Sequence, residues 1–273
     1  MSEAADPQGR VLIVAGSDSG GGAGIQADIK AVTMLGGYAM TAITAITAQD
    51  TTGVHGVWPV ALEAVRKQMA ACLTDIGADA IKTGMLGSAA LVETVAEGLD
   101  AQARAVPRIV DPVMVATSGD ALVDAPAISA IASLMIPGAA LVTPNAPEAE
   151  VLTGKAVDGI NGQRRAAEAL LERGAKGALV KGGHIPGRVL VDVLQTETGE
   201  WIFESERIET SSTHGTGCTL ASACATLVAQ GQSMADAVDA ARTYLHDAIR
   251  HAPGLGKGHG PVAHNWKLLD QES

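Results

Sequence analysis

The chain has 273 residues, 47% hydrophobic and 18% charged, which is enough apolar content for a large core and unlike a disordered chain. Its 30 acidic and 19 basic residues give a formal charge of −11, and its aromatic residues are only Trp58, Trp201, Trp266, Tyr38, Tyr244 and Phe203. That balance argues against nucleic acid and anionic membranes, whose binding rests on basic patches, and so few rings make no base-stacking platform.

Strand-like and helix-like segments alternate along the chain. Val11 to Ala15 is a short apolar run stopping at Gly16, which suits a buried strand. A glycine cluster, Gly20 to Gly24, leads into a helix from Ile25 to Leu35, ended by Gly36-Gly37. Met40 to Thr47 alternates Thr, Ile and Ala and reads as extended. Helices follow at Leu62 to Leu73 and Ala89 to Leu99, with a short strand, Ala80-Ile81, between them. Arg108 to Val110 is a strand halted by Asp111-Pro112. Ala127 to Met135, Ala146 to Leu152 and Gln163 to Glu172 read as helices, and Ala140 to Val142 and Ala178 to Val180 as strands. Val189 to Leu194 and Trp201 to Ile208 form a hairpin around Thr198-Gly199, and Leu220 to Ala229 and Ala235 to Ile249 are two consecutive helices.

This alternation predicts an α/β fold: a mostly parallel central sheet with helices on both faces. Residues 10–268 read as one domain, with 1–9 and 269–273 as loose tails. Cys72, Cys218 and Cys224 are an odd number with no CxxC pair, which points to a reducing compartment. Met1 to Arg10 lacks an apolar leader, and the apolar stretch Ile128 to Val142 is broken at Pro137-Gly138 and shorter than a span of about 20 residues. A cytoplasmic protein is expected.

In such a sheet, ligands bind beyond the carboxyl ends of the strands. The residues there are polar or glycine-rich: Gly16-Ser17-Asp18, Gln49, Lys82-Thr83-Gly84-Met85, Asp111, Thr143-Pro144-Asn145 and Lys181-Gly182-Gly183. The chain has no P-loop, no dinucleotide fingerprint, no HExxH and no zinc-spaced His/Cys cluster. Its clearest local signal is His214-Gly215-Thr216-Gly217-Cys218-Thr219 directly before a helix. Two glycines admit close backbone approach, and free N–H groups at a helix start attract anions. Such a turn could hold phosphoryl charge as it develops, and Cys218 would sit where thiol pKa values fall. A plain glycine-bearing helix start with a buried thiol reads equally well. Asp111 could hold Mg²⁺ or begin a turn before proline, and Asn145 with Glu148 makes a capping box. Lys181 could place an ammonium near phosphate. His251, His259 and His264 lie in a glycine-rich stretch whose spacing demands no metal.

Taken together, the segments resemble the hydroxymethylpyrimidine/phosphomethylpyrimidine kinases of thiamin biosynthesis, in the ribokinase superfamily. The resemblance runs from Val11 to Trp266. It is carried by Ala15 to Asp18 with Gly21 to Asp28, by Ala45 to Thr51, Lys82 to Leu86, Asp111 to Val115 and Ser118-Gly119. It continues through Thr143 to Asn145 with Glu148, Lys181 to His184, Thr213 to Thr219, and Gly258 to Val262 with His264. One departure stands in the opening loop, where Ser19-Gly20 replaces the usual Pro-Ser or similar pair.

The resemblance implies a ribokinase-like fold, ATP as co-substrate, Mg²⁺, and a homodimer. The reaction it implies is phosphorylation of 4-amino-5-hydroxymethyl-2-methylpyrimidine and then of its monophosphate. Carried onto matching positions, it implies Gln49, Asp28, Gly16, Met85 and Val113 for the pyrimidine, and Lys181, Thr216 and Asn145 for ATP. Asp111 and Glu148 would serve the metal, and Gly215, Gly217, Cys218 and Lys181 the transfer itself. Cys218 is expected as a base, or else as a shape-matched wall. Three alternatives stand beside this reading: a pyridoxal or pyridoxine kinase of the same superfamily or one enzyme with both activities, a non-catalytic nucleotide sensor, and an NAD-dependent oxidoreductase lacking the usual fingerprint.

Overall fold

The computed structural model describes residues 8–116, 119 and 122–269. Ser118 of the sequence motifs, and tail residues 1–7 and 270–273, lie outside these. The described strands are β1 (Arg10–Asp18), β2 (Tyr38–Asp50), β3 (Gly53–Pro59), β4 (Ala80–Thr83), β5 (Arg108–Val110), β6 (Leu141–Val142), β7 (Gly177–Val180), β8 (Val189–Thr196) and β9 (Gly199–Glu206). The helices are α1 (Gly24–Met34), α2 (Leu62–Asp75), α3 (Ala89–Gln102), α4 (Ala125–Ala130), α5 (Ala146–Thr153), α6 (Ile160–Glu172), α7 (Thr216–Ala229), α8 (Met234–Arg250) and α9 (Trp266–Leu269). A π-wound turn, Ile131–Met135, continues α4.

All the strands join one sheet in the order β3-β2-β1-β4-β5-β6-β7-β8-β9. From β2 to β7 neighbouring strands run parallel, and the edges are antiparallel: β3 on one side, the β8–β9 hairpin on the other. This is the expected α/β architecture. Side-chain alternation on β1 explains the layers. Val11, Ile13 and Ala15 pack with residues of α1, α7 and α8, whereas Leu12 and Val14 pack with residues of α2, α3 and α6. A strand buried on both faces is apolar without a break, which is how β1 reads.

Three differences from the sequence reading have physical causes. The first strand does not stop at Gly16; a register shift between Ala15 and Ser17 carries it on to Asp18, at the rim of the sheet. β3 has no apolar pattern because it is an edge strand with no fully buried residue. Residues 8 and 9 are not loose: Gln8 N–H donates to Gly36 O at 3.0 Å, and Gly9 O accepts from Tyr38 N–H at 2.9 Å. No described helix is long and apolar enough to cross a membrane, and Cys72, Cys218 and Cys224 are free thiols.

Candidate active site

The carboxyl ends of the parallel strands and the start of α7 enclose a cavity of about 790 Å³. β1 and β2 bring Gly16 and Gln49 to it, the segments after β4 and β5 bring Met85, Asp111 and Val113, and α5 brings Asn145 and Glu148. Lys181 follows β7, and Gly215, Thr216, Gly217 and Cys218 close the wall at α7. Twelve of the thirteen residues singled out from the sequence therefore line one cavity.

The exception is Asp28, which is fully buried and does not line it. Its oxygens lie 2.8 and 2.9 Å from Lys82 Nζ, and Ser222 Oγ donates to Oδ1 at 2.7 Å. Asp28 stands one turn into α1, on the face that packs inward with Ala27 and Ala31. Its carboxylate is the counter-ion of a buried lysine, so direct contact with a substrate is corrected to a place beneath the floor. Lys82 itself does line the cavity. Burial works against its charge, but Asp28 and the other nearby acidic groups raise the Lys82 pKa above its ordinary value.

The glycine turn before α7 is tightly made. Gly215 has φ +77°, and a Cβ there would lie 1.8 Å from Gly22 O. Only glycine fits, for conformation and for space. A Cβ on Gly217 would instead lie 3.5 Å from Lys181 Nζ and 3.6 Å from Asp111 Oδ2. The start of α7 thus lies beside a cation and a carboxylate. Asp111 is buried, accepts from Thr143 Oγ1 at 3.1 Å, and has Lys181 Nζ 3.5 Å from Oδ1.

Glu148 and Asn145 form the capping box read from the sequence. Asn145 Oδ1 accepts from Glu148 N–H at 2.9 Å, and Glu148 Oε2 accepts from Asn145 N–H at 2.8 Å. Burial, with repulsion from Asp111, pushes the Glu148 carboxyl up to about 7 against the pull of Lys181. A carboxyl raised in the folded state favours the fold at low pH, and that contribution is lost as pH rises from the ordinary carboxyl range through about 7. Glu148→Gln is therefore expected to match the wild-type melting temperature near pH 4 and exceed it at pH 8. Equal melting temperatures at both values would show that the carboxyl carries no burial penalty.

The expectation of a low thiol pKa at Cys218 is overturned. Burial pushes this thiol up to about 12, with Asp28 and Asp111 adding to it; Lys82 and the Gly24 N–H oppose but do not outweigh them. The helix start is real, yet the carboxylates behind it disfavour a thiolate.

Two cavity residues that carry bonds across the site went unassigned from the sequence. Asp18 and His214 both line it, with His214 Nε2 2.9 Å from Asp18 Oδ2. They are separated by 196 residues in the chain, so no spacing pattern pairs them. Ser19, the departure in the opening loop, accepts from Gln49 N–H and donates to Gln49 O, both at 2.8 Å. His264 is buried with Nε2 2.9 Å from Thr219 Oγ1, and burial lowers its pKa to about 4, so it is neutral. No group of three or more His, Cys, Asp or Glu residues is placed to hold a metal among the described residues.

Residues 18–263 match the family model described as phosphomethylpyrimidine kinase. The chain belongs to that family. It is 49% identical over 261 residues to the hydroxymethylpyrimidine/phosphomethylpyrimidine kinase of Streptomyces coelicolor, covering 94% of this chain and 95% of the relative. Among solved structures it is similar to the Staphylococcus aureus pyridoxal kinase in complex with AMP-PCP and pyridoxal, with TM-score 0.87, 33% identity, and coverage of 94% and 93%. It is also similar to the phosphomethylpyrimidine kinase of Clostridium difficile, with TM-score 0.79, 37% identity, and coverage of 88% and 99%. The chain is thus a kinase with a ribokinase-like fold, and its neighbours include both of the heterocycle kinases weighed from the sequence.

Proposed function

We propose that residues 10–268 form one kinase domain that transfers the γ-phosphoryl group of ATP to the hydroxymethyl oxygen of 4-amino-5-hydroxymethyl-2-methylpyrimidine. The same site then phosphorylates the monophosphate to the diphosphate, in thiamin biosynthesis in the cytoplasm. The observation that carries this reading is the glycine-flanked start of α7, facing Lys181 and Asp111 in the cavity that also holds Gln49. Phosphoryl transfer needs positioning and charge neutralisation more than covalent chemistry. Amides at Gly217 and Cys218 receive charge developing on the transferred group, Lys181 holds phosphate oxygens, and Thr216 with Asn145 lies on the nucleotide side. The acceptor oxygen bonds to phosphorus as the bond to the leaving ADP breaks, and the hydroxyl proton passes late to an oxygen of the transferred phosphoryl group. Gly16, Met85 and Val113 shape the pyrimidine end.

Asp111 and Glu148 suit Mg²⁺, a hard cation that takes one or two carboxylates and completes its shell with water and phosphate oxygens. A bound Mg²⁺ would neutralise phosphate charge. Among the described residues no third His, Cys, Asp or Glu joins these two carboxylates, which matches that habit. Glu148→Gln should raise the Mg²⁺ concentration needed for half-maximal turnover. An unchanged requirement would leave Glu148 as a helix cap alone.

With its thiol neutral, Cys218 fits the wall beside the acceptor oxygen better than a standing base. A lost general base costs about 10²-fold or more. Cys218→Ala is therefore expected to retain more than about a tenth of turnover; a loss of about 10²-fold would restore the base assignment.

Gln49 offers a carboxamide, whose donor and acceptor match the ring nitrogen and amino group of an aminopyrimidine. Leaving one side of such a pair without its partner costs about 1–3 kcal/mol. Gln49→Leu should therefore lower kcat/KM for the pyrimidine alcohol by roughly 5- to 150-fold, with the KM for ATP unchanged. Equal values would remove Gln49 from recognition.

The structural likeness to a pyridoxal kinase favours one second reading, a pyridoxal or pyridoxine kinase or a dual enzyme. A coupled ADP-release assay with the pyrimidine alcohol, its monophosphate and pyridoxine decides between them. The homodimer belongs to the same proposal. Exposed Ile46, Val57 and Trp58 on the β2–β3 edge supply an apolar surface for it, and light scattering tests it.

A further inference from the structure

We infer that Asp18 and His214 are positioning residues for phosphoryl transfer: together they dock the glycine loop at the pyrimidine end onto the turn that starts α7. The inference rests on the function proposed above. Asp18, buried at the end of β1, gathers four donors on one carboxylate. Oδ1 accepts from Gly20 N–H at 2.8 Å, and Oδ2 accepts from Gly22 N–H at 3.0 Å, Ala23 N–H at 2.8 Å and His214 Nε2 at 2.9 Å.

His214 extends the junction in the other direction. Its backbone N–H donates to Gly260 O at 3.0 Å. The segment before Gly260 is tied to Thr51: Gly258 N–H reaches Thr51 Oγ1 at 3.2 Å, and His259 N–H reaches Thr51 O at 2.7 Å. Thr51 directly follows β2, which carries Gln49. The loops meet without spare room, since a Cβ on Gly22 would lie 2.5 Å from His214 Cδ2. The Asp18–His214 pair and the His214 backbone thereby join three segments around the cavity: the opening loop, the turn before α7 and the segment tied to Thr51.

Neither residue has been assigned to pyrimidine, phosphate or metal. Their work is to fix where the acceptor end stands relative to the α7 amides. A displacement of about 1 Å between reacting groups costs on the order of 10²-fold in rate. Losing the junction should therefore lower kcat and leave nucleotide affinity, which is held from the Lys181 side, nearly unchanged.

The test uses Asp18→Asn, His214→Ala and His214→Gln, with kcat, KM for each substrate, ATP-analogue affinity, and amide hydrogen exchange at Gly20, Gly22 and Ala23. Asparagine keeps the shape of Asp18 but turns a donor toward donors. We expect kcat to fall on the order of 10²-fold in Asp18→Asn and His214→Ala, with ATP-analogue affinity within about threefold and faster exchange at the three amides. Glutamine can present an N–H to Asp18, so His214→Gln should recover about tenfold or more of the kcat lost in His214→Ala. Wild-type kcat in both disruptive variants overturns the inference. So does nucleotide affinity falling as far as kcat while glutamine performs no better than alanine. If Asp18→Asn fails to fold, the two His214 variants decide alone. Should the wild type release no ADP with any heterocyclic alcohol, the functional reading falls; the exchange rates, which need no substrate, still show whether the docking exists.

Discussion

Gly217→Ala is expected to lose turnover by about 10²- to 10³-fold while the protein melts at or slightly above the wild-type temperature. Alanine keeps the backbone N–H, but its methyl would bar the phosphoryl group from that donor, and losing one such donor from a site that receives developing charge costs about 2.7–4 kcal/mol. Gly217 is the second residue of α7, and the added methyl would lie 3.5 Å from Lys181 Nζ and 3.6 Å from Asp111 Oδ2, at ordinary contact distance. The fold has room for it, and alanine in a helix is favoured over glycine by roughly 0.5–1 kcal/mol. The space it fills is the gap between amide, ammonium and carboxylate where a phosphoryl group would sit. Gly215→Ala is the control of opposite character. Its methyl would strike Gly22 O at a backbone angle of φ +77°, so stability and turnover should fall together. Melting curves and ADP-release rates for the two variants check the contrast. A Gly217→Ala enzyme with turnover within about threefold of wild type would remove the anion-binding role of this turn.

Lys82→Met should cost the most stability. Lys82 and Asp28 form a fully buried ion pair at 2.8 Å, with Ser222 as a further donor. Removing one partner of a buried pair leaves an uncompensated charge, at about 3–5 kcal/mol. For a chain of this size that lowers the melting temperature by on the order of 10 °C. Methionine keeps much of the length and volume of the lysine stem, so packing loss is small. Adding Asp28→Asn removes the stranded charge and should restore a large part of the loss, because neighbours in one network are not additive. A single variant melting with the wild type, or a double variant worse than the single, would show that the pair does not stabilise the fold.

The legible part of this protein was local. Continuous apolar runs such as Val11 to Ala15 marked the strands buried on both faces. The Asn145–Glu148 spacing marked a capping box that the structure contains atom for atom. The Gly215 and Gly217 spacing marked a helix start with exposed amides. Each of these depends on residues within a few positions of one another. β3 was missed because an edge strand with no fully buried residue has no apolar signature.

The sequence by itself therefore determined the alternation of strands and helices, the polar strand ends, and the ordered motifs that place the chain among the phosphomethylpyrimidine kinases. Only the tertiary structure decided the state and company of the charged groups. It placed Asp28 under the floor with Lys82, 54 residues away. It raised the Cys218 thiol pKa at a helix start, chiefly through burial, with Asp28 and Asp111 adding to it. It brought His214 to Asp18 across 196 residues. Backbone periodicity and glycine freedom are properties of neighbouring residues, so a sequence displays them. The cost of burying a charge, and the partner that offsets it, are set by every residue the fold brings near, and no local spacing carries that information.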